Sequence, residues 1–116
     1  MADADIDAIE VSGNGTSHTG VKAGRNEGYF RAAAMSLAAL VDVPVVLVGG
    51  LRSVEKINQF LNDTKIEYVS LSRPLIREPN LINRWQSGDI TPSLCVSCNI
   101  CYRTPGHQCI FYLRKK

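Results

Sequence analysis

The sequence predicts an α/β fold built on a parallel sheet, and three observations carry that prediction. Strand-like apolar runs alternate with helix-like segments three times within the first 88 residues. The runs are rich in Ile, Val and Leu with little alternation, the pattern of strands covered on both faces. Each run also ends on small or polar residues: Ser12-Gly13-Asn14, Gly49-Gly50 and Ser72-Arg73. Alternation of this kind leads to parallel strands joined by right-handed crossovers.

The first strand is expected in "IDAIEVSG", Ile6 to Gly13, followed by the polar, glycine-rich loop "GNGTSHTGVKAGRN", residues 13 to 26. A loop of that length in a compact domain is usually functional or mobile. In "EGYFRAAAMSLAAL", Phe30, Ala33, Ala34, Leu37, Leu40 and Val41 recur at helical spacing and make one apolar stripe. "VPVVLV" follows as a buried strand, with Pro44 near its start, where proline is tolerated.

After the two glycines, Ser53 suits the N-cap of a helix running to about Leu61, with Val54, Ile57, Phe60 and Leu61 on its buried face. Lys56 stands where a capping box would have Glu, so the cap signal is partial. "IEYVSLS" reads as a third strand. Pro79 fits the first turn of a short helix with Leu81, Ile82 and Trp85 facing inward before Gly88. Residues 1–88 therefore form the α/β portion. Residues 89–116 hold two prolines and four cysteines without a clear period, and read as an irregular cysteine-containing tail.

Composition narrows the function classes. The 116 residues suffice for one ordinary domain, and 45% apolar with 21% charged residues is globular rather than disordered. A net charge of +2 gives no reason to expect nucleic acid or a membrane surface as partner. The basic end Arg114-Lys115-Lys116 reads as a solvated terminus. No run reaches the roughly 18 apolar residues of a membrane span. Met1 to Asp7 carries three aspartates and no basic residue, unlike a secretory signal, so a cytoplasmic location is expected. There, cysteines act as thiols or as metal or cluster ligands before they act as disulfides.

In parallel α/β sheets, ligands bind beyond the carboxyl ends of the strands. The amides of the Gly49-Gly50 turn and of the helix that follows could receive a phosphate, with Arg73 adding a charge-assisted contact. The alternative is a plain strand-to-helix turn beside a surface arginine. Spacing alone leaves both open.

"VPVVLVGGLRS", followed about 20 residues later by "IEYVSLSRPLIREPNLINRWQSGD", resembles the old yellow enzyme family of FMN-dependent NAD(P)H:flavin oxidoreductases. "IDAIEVSGN" and "CVSCNICY" also resemble family segments, and the motifs keep the family's order. The resemblance implies a partial (β/α)8 TIM barrel comprising the last three βα units. Gly49 and Gly50 would then meet the FMN phosphate at the seventh strand end, and Ser72 with Arg73 would complete that site at the eighth. Ser72 stands where many members have glycine. Ser12 and Gly13 match the sixth strand end near the flavin. Phosphate sites after strands seven and eight are a general habit of this barrel.

A complete barrel takes roughly 250 residues. The family's substrate-activating His, its His or Asn partner, and its proton-donating Tyr belong to earlier strands and have no counterpart here. His18 and His107 read as solvated loop residues, so no catalytic residue is assigned. The chain is expected to be a carboxyl-terminal portion that pairs with the missing half of the barrel or with itself.

Cys95, Cys98, Cys101 and Cys109 have the spacing C-x2-C-x2-C-x7-C. It could hold a [4Fe–4S] cluster, or a zinc ion with His107 as a substitute ligand, or the thiols could be metal-free. The dienoyl-CoA-reductase branch of the family carries a cluster just after the barrel, but with longer second and final gaps. The resemblance thus implies hydride transfer from NAD(P)H through FMN to an acceptor such as an activated alkene. A non-catalytic remnant, a docking subunit and a small Fe–S or zinc module are the alternatives.

Overall fold

The computed structural model describes residues 5–12, 19–23 and 26–113. The expectations for Gly13, His18 and Arg114 to Lys116 lie outside these residues. Three parallel strands form one sheet in the order β1-β2-β3, where β1 is Ile9–Val11, β2 is Val45–Val48 and β3 is Tyr68–Ser70. Ile9 stands opposite Val45, and Val46 opposite Tyr68. Pro44 lies just before β2 begins, and its carbonyl still accepts from Ile9 N at 2.9 Å. The strand–helix alternation was therefore a sound guide to a parallel sheet.

The crossovers are α1 (Arg31–Leu40) and α2 (Val54–Asp63). Alanine-rich α1 is helical by propensity and presents Ala34 and Ala38 to the sheet. Those two residues join Val45, Leu47, Leu51, Ile57, Phe60 and Ile66 in the buried core, with Leu37, Leu61 and Trp85 packed around it. Ser53 caps α2 as expected, its Oγ accepting from Lys56 N at 3.3 Å. At the other end, Thr64 Oγ1 donates to Phe60 O at 2.5 Å and accepts from Ile66 N at 3.1 Å, turning the chain toward β3.

Four sequence expectations are corrected. The strands are shorter than the apolar runs, and β2 alternates between buried and half-buried residues, so one sheet face takes most of the packing. Leu40 is 83% exposed, because α1 turns its smaller Ala38 to the sheet instead. The third strand stops at Ser70, and Ser72 stands at the N-cap position, without a side-chain cap bond, of a helix absent from the sequence reading, α3 (Arg73–Arg77), with Pro74 in its first turn. Pro79 consequently lies in the turn before α4 (Leu81–Gln86), where Leu81 is buried but Ile82 is 44% exposed.

The tail beyond Gly88 has little regular structure. It contains single 3₁₀ turns at Ile100–Tyr102 and Pro105–His107, and a short helix α5 (Ile110–Leu113). Among the described residues no helix is long and apolar enough to cross a membrane.

Candidate functional site

A cavity of about 560 Å³ opens at the carboxyl ends of all three strands. Ser12 borders it after β1, Gly49 and Gly50 after β2, and Ser72 with Arg73 after β3. The volume lies within the range of small-molecule sites. The structure thus brings together Gly49, Gly50, Ser72 and Arg73, which are spread over 25 residues of sequence, together with Ser12.

The glycine pair has a specific steric reason. Gly49 and Gly50 adopt φ of +104° and +70°, backbone that favours glycine. A Cβ on Gly49 would stand 2.8 Å from the Tyr29 ring, and one on Gly50 only 2.6 Å from it. The aromatic ring of Tyr29 packs directly on the turn, so both conformation and space exclude a side chain. Tyr29 in turn stacks edge-on against Phe30, the ring centroids 4.7 Å apart.

Two arginines border the cavity, both almost fully buried. Arg73 Nη2 donates to Tyr29 Oη at 3.4 Å, and Nη1 donates to Asn99 Oδ1. Arg52 Nη1 donates to its neighbour's carbonyl, Leu51 O, at 2.8 Å, and its Nε donates to Ser97 Oγ at 3.2 Å. Burial pushes the Arg52 guanidinium below its ordinary pKa, and the nearby positive charge of Arg73 pushes the same way. Arginine nevertheless keeps its proton in proteins, so two cations face one cavity. That combination suits an anion.

The turn is braced from behind by Glu27, which the sequence reading did not single out. Its Oε1 accepts from Arg52 N at 2.5 Å and from Ser53 N at 2.9 Å, while Oε2 accepts from Ser53 Oγ at 2.7 Å. In a capping box the third helical residue supplies the carboxylate for the N-cap amide. Here Lys56 holds that place, and Glu27 does the same work from 26 residues away. No local signal could have revealed it. Asn99 and Tyr102 also border the cavity, although they belong to the cysteine-containing tail.

The four cysteines border a second, much smaller cavity of about 20 Å³, shared with Arg73, Arg77 and Asn99. All four are free thiols. Burial pushes the Cys101 thiol pKa up, and neighbouring Cys95 adds to it. Arg77 Nη1 approaches Cys109 Sγ at 3.9 Å. Among the described residues, no three His, Cys, Asp or Glu side chains converge to hold a metal ion. The spacing that suggests a cluster or zinc is thus present without the convergence either needs. His107 is exposed and its Nδ1 lies 3.1 Å from Cys101 O in the preceding turn.

The fold and cavity define a parallel α/β unit with a basic pocket at its strand ends. Over 86 residues the chain is 34% identical to a 4,4'-dithiodibutanoate disulfide reductase of Rhodococcus erythropolis. The aligned stretch covers 72% of this chain and 21% of that enzyme, so the chain spans about a fifth of the relative's length. The similarity is therefore to part of an oxidoreductase. No family model matches the chain, and no solved structure does.

Proposed function

We propose that this chain forms the phosphate-binding side of an FMN-dependent oxidoreductase of the old yellow enzyme type. The observation that carries the reading is the convergence of three strand ends and two buried arginines on one cavity. The cavity's size and its positive lining fit a flavin mononucleotide. Backbone amides at Gly49 and Gly50 and the guanidinium of Arg73 would hold the phosphate, with Ser72 beside them. Ser12 would border the flavin from the sixth strand end. When bound, FMN supplies hydride transfer between NAD(P)H and an acceptor.

The residues of this chain bind and orient; none of them is assigned a proton transfer. The relative reduces a disulfide by its name, which makes an organic disulfide an acceptor class to test beside activated alkenes. Under this reading the outer edges of β1 and β3 pair with further strands, from the remainder of a barrel or from a second copy of the chain. The cysteine segment is given no metal-dependent step, since its thiols do not converge as ligands.

The test is retention of the flavin absorbance band after the chain is mixed with FMN and desalted. Retention is expected for the wild type, and Arg73→Ala should weaken it by about tenfold or more, the loss of a charge-assisted contact. A wild-type chain that loses all flavin overturns the reading.

A further inference from the structure

We propose that Tyr29 and Asn99 are positioning residues that hold the Arg73 guanidinium in place for an anion; this rests on the flavin-phosphate reading above. Arg73 starts a helix of only five residues, and its side chain has many rotamers to lose. An arginine fixed in advance pays less of that entropy when a phosphate arrives. The two holding groups come from far away in sequence. Tyr29 precedes α1, 44 residues before Arg73, and Asn99 lies 26 residues after it among the cysteines.

Their chemistry matters as much as their placement. A phenol oxygen and an amide oxygen both accept from the guanidinium, and neither carries a negative charge. A carboxylate in either place would hold Arg73 as firmly but neutralise it. These two neutral acceptors fix the cation and add no charge that would oppose a phosphate. Tyr29 links this to the glycine turn, because its ring packs on Gly49 and Gly50 while its hydroxyl reaches Arg73. Asn99 links it to the tail. It adopts φ of +64°, a left-handed conformation that asparagine tolerates, and it borders both the large cavity and the cysteine-lined one. The cysteine segment therefore contributes a working residue to the anion site.

The experiment measures the affinity of the full chain for FMN and for riboflavin, which lacks the phosphate. The wild type is expected to favour FMN. Tyr29→Phe keeps the ring on the glycine turn and removes only the hydroxyl. Asn99→Gly keeps the left-handed backbone and removes only the side chain. Each should lower the ratio of FMN to riboflavin affinity by about fivefold, the value of one hydrogen bond. Asn99→Asp keeps the acceptor but adds a charge, and should lower the ratio further, by about tenfold or more. Circular dichroism establishes that each variant folds, and Tyr29→Phe carries the test if the Asn99 variants do not. A wild-type preference for FMN that both Tyr29→Phe and Asn99→Gly leave unchanged overturns the positioning role while the flavin reading stands. A wild type with no preference for FMN overturns both.

Discussion

The α/β portion and the cysteine-containing tail are held together by different forces. Every residue of the buried core cluster lies between Ala34 and Ile66. The described residues of the tail add none, and leave Ile90, Leu94, Val96, Ile100 and Tyr102 exposed. Among its described residues the fully buried one is a serine, Ser97, beneath the Arg52 guanidinium. The tail is tied down instead by polar contacts: Ser93 N to Arg52 O at 2.7 Å, Trp85 Nε1 to Thr91 O at 3.0 Å, and Leu94 N to Glu78 Oε1 at 3.3 Å. Apolar burial is non-directional and tolerates small shifts, whereas each of these tethers depends on one donor meeting one acceptor. The core should therefore fail as a unit and the tail contact by contact.

The largest effect expected is on the core. Leu47→Ala opens a void at the centre of β2 and should cost about 2–5 kcal/mol, read from thermal or denaturant unfolding. The turn that feeds the cavity comes next. Gly50→Ala combines a left-handed backbone with a ring 2.6 Å away, and should cost about 2–3 kcal/mol. Gly88→Ala is its control: φ is +105° there, but nothing lies within 4 Å, so only the backbone cost of about 1 kcal/mol remains. Equal losses at the two positions would remove Tyr29 from the explanation of the glycine pair.

Ser97→Ala should act on the other region. It strips a hydroxyl acceptor from a buried guanidinium, at about 1–2 kcal/mol. The sharper readout is local: alkylation of Cys95 and Cys98 should accelerate while protection of β2 amides from hydrogen exchange persists. Loss of protection in both places together would mean that core and tail form one cooperative unit.

The smallest effect is a pH dependence confined to the tail's attachment. Arg84 donates to both carboxylate oxygens of Glu78, at 2.8 and 2.9 Å, and holds its pKa below the usual carboxylate range. A depressed carboxylate pKa contributes stability above the unfolded value of about 4.3, and that contribution is lost as the pH falls through the native value. Acid should thus release the Leu94 contact before it affects the core. In Glu78→Gln this acid-dependent step, followed by tail hydrogen exchange, should disappear.

Much of the candidate site could be read from the sequence because its parts are strand ends. Apolar runs located the strands, and the residues just past them, Gly49, Gly50, Ser72 and Arg73, were bound to gather once the strands paired in parallel. Helix α3 was missed because "IEYVSLS" keeps a strand-like pattern past Ser70, and the sequence reading places no element between that strand and Pro79. Glu27, Tyr29 and Asn99 escaped notice for a different reason. Nothing within a few residues of any of them hints at its partner.

The sequence by itself determined the order of the three strands and their two crossover helices, the parallel sheet, the Ser53 cap and the place of the cavity. Those features depend on periodicity and on residues close in the chain, which is where local physics acts. Only the tertiary structure decided that a distant glutamate completes the α2 cap, that Tyr29 fills the space two glycines leave, and that a tail asparagine steadies Arg73. Each joins segments 20 or more residues apart, Tyr29 to Gly49, Glu27 to Ser53 and Arg73 to Asn99. Such contacts are fixed by how the chain folds back on itself, and no local pattern encodes them.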